Sequence, residues 1–170
     1  EEDSSFRITP QENWVASIDM GAMLGGGKFR IEGELAGSVL TRDQRSPGVD
    51  SENVPQWLID FAGINVSSGF GWALDLLTSA RFSGNMLSLA FERVEPGFRT
   101  MGAPYLRSDR MMVEARADRY FRGRELFAGV YYRWEQDNLL NTRSATTTGN
   151  SYGFRVGAAF PGYPRVHVSY

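Results

Sequence analysis

The stretch "RMMVEARADRYFRGRELFAGVYYRW", residues 110–134, decides the fold class. Its first half alternates Met111, Val113, Ala115 and Ala117 with Glu114, Arg116 and Asp118. After "RGR", Leu126, Ala128, Val130, Tyr132 and Trp134 share one parity, while Arg133 and Glu135 take the other. A strand turns successive side chains to opposite faces, so period two reads as a sheet and not as a helix. The stretch is a hairpin, apolar on one side and charged on the other.

The same period extends outward in both directions. It predicts eight strands, at residues 13–23, 29–40, 72–82, 86–93, 110–121, 125–137, 151–160 and 165–170, joined up and down as an antiparallel meander. The expected fold class is all-β, one barrel domain or a fragment of one over residues 1–170. Most of these strands are longer than the usual ~5–6 residues of globular sheets and match the ~9–11 that cross a bilayer when tilted. Connections alternate in length. "LGGGK", "SGN" (read as a three-residue hairpin loop), "RGR" and "PGYP" are short. Residues 41–71, "VEPGFRTMGAPYLRSD" and "NLLNTRSATTTGN" are long. Within residues 41–71, "PQWLIDFAGI" reads as a short helix or as a segment docked on the rim.

Short turns at one end and long loops at the other are the pattern of an outer-membrane barrel. Ring placement points the same way. Trp14, Trp72, Trp134 and Tyr152 fall at the long-loop ends, and Phe29, Phe82, Phe121 and Phe160 at the short-turn ends, as two membrane interfaces would select. The competing arrangement is a soluble antiparallel β-sandwich that acts as a binding module, since it too alternates apolar with polar.

Composition narrows the function classes. The chain has 170 residues, 42% hydrophobic, with a net charge of −2 and no cysteine. Disulfides and thiolate chemistry are excluded. Lys28 is the only lysine, and no basic helix or nucleic-acid motif is present. No apolar run is long enough for a membrane helix, which a barrel does not need. The polar opening "EEDSSFRITPQEN" has no signal-peptide pattern. Because the first clear connection is short, the termini come out on the outer side. That points to a fragment with further strands on either side, or else to a complete eight-stranded barrel in which "SSFRITP" or a loop segment holds a strand that the alternation does not mark.

Two stretches carry a resemblance. "FERVEPGFRTMGAPYLRSDR" (91–110) and "RWEQDNLLNTRSATTTGNSYGFRVGAAF" (133–160) resemble segments of large, poorly characterised outer-membrane β-barrel proteins of the Bacteroidota type. The resemblance covers about the second half of the chain. It implies a barrel in the outer membrane of a Gram-negative bacterium, with membrane lipid, lipopolysaccharide, further strands of the barrel or secretion machinery as partners. It transfers no catalytic residue.

The charged parity collects the candidate lumen lining: Asp19, Arg30, Glu32, Glu34, Asp75, Arg81, Glu92, Glu114, Arg116, Asp118, Arg133, Glu135 and Arg155, with Asp137 at a strand end. Mixed signs suit cross-strand pairs in a porin-like channel for transport, or a salt-bridged interior without selectivity. In "VEPGFRTMGAPYLRSD", Pro96, Gly97, Gly102 and Pro104 fix turns. Glu95, Arg99, Arg107 and Asp109 tie the loop to itself or meet lipopolysaccharide phosphates. His167 and Ser169 share a face, as a barrel lipid esterase would require and as a lipid A deacylase shows in a similar His-x-Ser element. Their parity is the inward one and no orienting carboxylate can be named, so no enzymatic chemistry is expected. "GGGK" lacks the spacing of a phosphate loop, and "EQDNLLN" has too few carboxylates for calcium. No cofactor, metal or nucleic-acid partner is expected.

Overall fold

The computed structural model describes residues 9–49, 55–103, 105–121, 125–162 and 164–170. Eight strands form one antiparallel sheet in sequence order. They are β1 (Glu12–Leu24), β2 (Phe29–Thr41), β3 (Ser68–Phe82), β4 (Asn85–Val94), β5 (Arg110–Phe121), β6 (Leu126–Asp137), β7 (Thr148–Ala158) and β8 (Val166–Ser169). One helix, α1 (Gln56–Ala62), interrupts the β2–β3 connection. The sheet does not close, and β1 and β8 are its edges. A sandwich needs two sheets, so this is the meander of the alternation and not the competing sandwich.

Three sequence expectations change. β3 begins at Ser68, four residues before Trp72, because "SGFG" continues the ladder against residues 38–41 of β2. β7 begins at Thr148 and ends at Ala158, not 151–160, since Thr148 and Asn150 pair with Gln136 and Trp134. Backbone pairing needs no apolar side chain, so period two does not report these ends. The "SGN" loop has two residues, not three. Phe82 pairs with Asn85, leaving Ser83 and Gly84 at φ 46° and 79°. Positive φ at both central residues is the primed turn that matches strand twist. The "RGR" residues, Pro104, Tyr163 and most of "SSFRITP" lie outside the described residues.

Register sorts the side chains as the alternation predicts. One row of the apolar face crosses all eight strands: Leu24, Phe29, Ala80, Leu87, Ala117, Val130, Phe154 and, beyond the last strand residue, Tyr170. The next rows hold Ala22, Ile31, Thr78, Leu89, Ala115, Tyr132 and Tyr152, then Met20, Gly33, Leu76, Phe91, Val113, Trp134 and Asn150. None of the other described residues covers them. Leu87 and Leu89 are 45% and 48% exposed, whereas Ser88 and Ala90 on the other parity are half-buried despite their size. Crowding on the polar side alone is what a sheet curled toward its polar face produces.

Two kinds of detail show the curl. Polar-face glycines sit beside large neighbours: a methyl on Gly157 would lie 2.2 Å from the Phe127 ring, and one on Gly153 2.5 Å from Tyr131. The hairpin ends are also staggered. Leu24 and Phe29 are level with Ala80, and β3 runs two residues further to Phe82. Phe82 and Asn85 are level with Arg119, and β5 runs two further to Phe121. From β1 to β5 the stagger is two residues per two strands, the ratio of a barrel with shear equal to strand number, which tilts its strands by about 36°. Phe121 and Leu126 are then level with Ala158, where β7 ends.

The long connections are ordered at their bases. Asn65 donates to the Asp43 carbonyl at 2.9 Å and accepts from the Ser67 amide. The Arg45 guanidinium, then its backbone N–H, hold the Asp43 carboxyl below its ordinary range. Gly63 ends α1 in the left-handed region at φ 58°. The helix is also docked on the rim: Phe61 meets Trp14 with ring centroids 4.7 Å apart.

Asn tolerates the left-handed region better than Ser, and Asn-Gly is the preferred primed turn. Ser83→Asn is therefore expected to stabilise the protein by about 0.5 kcal/mol, read as a shift in the urea midpoint of detergent-refolded protein.

Candidate functional site

All thirteen predicted lining residues fall on the polar face, and register decides which of them meet. Asp118, Gly129 and Arg155 are aligned on β5, β6 and β7. Arg155 reaches across the glycine to grip Asp118 with both ends of its guanidinium, Nε to Oδ1 at 3.0 Å and a terminal nitrogen to Oδ2 at 2.6 Å. Gly129 makes this possible, since a methyl there would lie 2.0 Å from Asp118 Oδ1. Glu114 is held from two sides, by Arg116 at 3.1 Å and by Arg133 at 2.8 Å. Arg110 pairs with Glu92, and Arg30 with Glu32.

The other half of the face has the opposite character. Asp19, Glu34, Asp75 and Glu92 are cross-strand partners in one unbroken row over β1 to β4. Among the described residues no cation pairs with the first three. Like charges directly opposite repel, so this row costs stability and makes its half of the face a region of negative potential. The arginine pairs of this face lie on β4 to β7, apart from Arg30–Glu32 on β2. Among the described residues no group of three or more His, Asp or Glu is arranged to hold a metal ion.

Two arginines were missed by the parity argument because they sit on the apolar face. Arg93 lies over the Trp72 ring at 5.2 Å and bonds Glu95 at 2.6 Å. Arg119 lies over Phe121 at 5.2 Å. They bracket the uncharged rows. Arg119 is level with Asn85, eight residues from Arg93 along β4. That is about 27 Å along the strand, or roughly 22 Å along the axis at the tilt above, near the ~25 Å apolar band of membrane barrels. Arg119 carried a signal in the sequence, since Tyr120 and Phe121 follow it at the end of β5, whereas Arg93 meets its ring only through the pairing of β3 with β4.

The predicted ring positions are mixed. Trp14, Phe29, Phe82 and Phe121 stand near strand ends, half-exposed on the apolar face. Trp72 is four residues inside β3 but level with the end of β4, where Glu95 donates to its carbonyl at 3.0 Å. Trp134 is three residues inside β6. Tyr152, expected at the long-loop end, is four residues inside β7 opposite Tyr132, and Phe160 lies past the end of β7.

The long loops are built from the two stretches that carried the resemblance. Asn138, buried and at φ 57°, donates to the carbonyls of Arg143 and Ala145 and to the Thr146 hydroxyl. Asp109, also buried, accepts from the Leu139 amide at 2.8 Å and pairs with Arg143 at 3.0 Å. The β4–β5 loop does something parity cannot show: it lies on the polar face. Phe98 is buried there against Ala36, Ala73 and Val94, and Arg99, expected to anchor the loop or meet lipid phosphates, bonds Ser108 at 3.0 Å. Small residues on the polar parity, Ala36, Ser38, Gly71 and Ala73, were the legible trace of this seat.

His167 stacks on Phe127 with centroids 5.7 Å apart, and Ser169 is level with Arg155, both on the polar parity. Among the described residues no carboxylate bonds His167.

Comparison with protein-family models, with curated proteins and with solved structures finds no match.

Gly129→Ala should break the Asp118–Arg155 pair and destabilise by about 1–3 kcal/mol, below the ~3–5 of a fully buried pair because Arg155 is a third exposed. In a double-mutant cycle, Asp118→Ala should then cost less in the Gly129→Ala background than in the wild type. Glu34→Gln, by contrast, should stabilise by roughly 0.2–1 kcal/mol, because it relieves a row of like charges. Urea unfolding in detergent micelles reads both, and a loss of stability for Glu34→Gln would refute the repulsive row.

Proposed function

We propose that this sheet is part of an outer-membrane β-barrel, with its apolar face against lipid and its polar face lining an aqueous lumen. Its role is passage of solutes, secretion or surface anchoring, without enzymatic chemistry. One observation carries the reading. Eight strands in a single layer present continuous apolar rows that none of the other described residues covers, uncharged between Arg93 and Arg119, while the strand acids and the arginines paired with them gather on the crowded face.

In water such a face would be a patch far above the few hundred Å² that soluble monomers tolerate. A soluble binding module would need a second layer over it. In lipid it needs none. The two exceptional arginines sit at the band's edges, each folded against an aromatic ring, where long cationic side chains reach the interface. Trp57 and Phe61 of α1, 68% and 62% exposed, extend the aromatic rim beside Trp14 at the long-loop end. The likeness of the two loop stretches to Bacteroidota barrels supports the same compartment, the outer membrane, with lipid and lipopolysaccharide as its surroundings.

The test is a pair of adjacent substitutions. Leu89→Arg places a cation mid-band on the apolar face and should cost about 2–4 kcal/mol in lipid vesicles. Ser88→Arg places it on the polar face and should cost far less. A water-soluble chain would reverse the order, with Leu89→Arg harmless or solubilising, and that result would end the membrane reading.

A further inference from the structure

The polar face is not left open at its long-loop end. After β4 ends at Val94, the chain does not rise away from the sheet but turns back across it. Gly97 passes over Gly71 of β3, so close that a methyl on Gly71 would lie 1.9 Å from the Phe98 nitrogen. The Arg99 amide then donates to the Ser38 hydroxyl of β2 at 3.0 Å. Asn13 of β1 finishes the crossing, donating to the Arg99 carbonyl at 3.1 Å and accepting from the Met101 amide at 3.3 Å. Five residues thus span three strands, pinned to each, with Phe98 only 5% exposed beneath them.

We propose that residues 95–103 form a constriction at the mouth of the lumen, and that the Phe98 seat, more than the strand lining, sets the size of solute that passes. The inference rests on the lumen reading above. A loop serving only surface contacts would have no need of a glycine cleared for it in β3, nor of the side chains of Ser38 on β2 and Asn13 on β1 aimed at its backbone. Nothing in sheet pairing requires Gly71 either, and glycine weakens a strand interior. The cost is explained if the loop must lie flat there. A pore's size limit is set at its narrowest ring, so a segment laid across the lining governs passage.

Gly71→Val removes the clearance while adding a good strand residue, and Phe98→Ala removes the anchor. The full-length protein and both variants are reconstituted into planar bilayers and liposomes. Single-channel current, solute size in liposome swelling and the rate of trypsin cleavage at Arg99 are then measured. The expected result is faster cleavage at Arg99 with at least about a twofold rise in conductance and entry of larger neutral solutes. Should Gly71→Val not fold, Phe98→Ala decides alone. Faster cleavage with unchanged conductance overturns the constriction and leaves the barrel standing. So does insertion of all forms without any current. A wild type that stays in solution without detergent and never inserts defeats the membrane reading itself, and the constriction falls with it.

Discussion

The whole structure depends on one unmet need: an apolar surface with nothing of its own to lie against. Most folds satisfy a sheet's greasy face with a second sheet or a layer of helices. Here the described residues bury only five apolar side chains, Ala36, Ala62, Ile64, Val94 and Phe98, all near the long loops. Little of the stabilisation can come from an internal core. It must come from the ladders, from close packing on the curled face, and from whatever medium meets the rows of Leu, Val, Ile and aromatic residues outside. On the proposed membrane reading that medium is lipid, and the design is economical because it asks each strand for only half its residues.

That requirement shapes the inner face as well. A sheet curled with one residue of stagger per strand brings inward side chains together, and space becomes limiting. The chain answers with glycine beside bulk: Gly157 under Phe127, Gly153 under Tyr131, Gly129 under the Asp118–Arg155 pair. Each glycine gives up strand propensity to make room for a side chain on the neighbouring strand. The ion pairs on β5 to β7 are therefore packing units as much as electrostatic ones. The acidic row on β1 to β4 follows a different logic, since Glu92 alone of the four meets a cation, Arg110, and repulsion among Asp19, Glu34 and Asp75 is left uncompensated within the described residues. Local rules are broken most often where function rather than folding sets the residue.

What the sequence revealed follows from the same physics. Parity is a strict readout of face, so every lining residue predicted from "RMMVEARADRYF" and its relatives lies on the polar side. Strand ends were less legible, because "SGFG" and "TGN" pair through backbone alone and carry no alternation. The two-residue Ser83–Gly84 turn was hidden by Asn85, a turn-forming residue that the ladder recruited as its first member. Arg93 and Arg119 broke parity, each held against an aromatic ring on the apolar face. On the proposed membrane reading these are edge positions, where a cation costs less than at mid-band. The inward fold of the β4–β5 loop had only an indirect trace, the run of small polar-face residues at Ala36, Ser38, Gly71 and Ala73. Small residues have many causes, and only coordinates show that a phenylalanine fills the space they leave.

The edges sharpen the functional reading further. Within hydrocarbon no backbone N–H or C=O can go unpaired, so an open sheet cannot stand in a bilayer. In this structure β1 has β2 on one side only, and the four residues of β8 cover the short-turn half of β7, leaving residues 148–153 of β7 without a strand beside them apart from β6. The membrane reading therefore carries an obligation that the sheet alone does not meet: both edges must be paired where they cross lipid, with each other or with further strands. A soluble protein would guard such edges with charge, proline or a bulge. The outer edge of β1 shows none of these in the run "NWVASIDMGAML" beyond the single Asp19, which belongs to the acidic row. A regular edge whose charges are only Glu12 at its end and Asp19 is the edge of a strand that expects a neighbour.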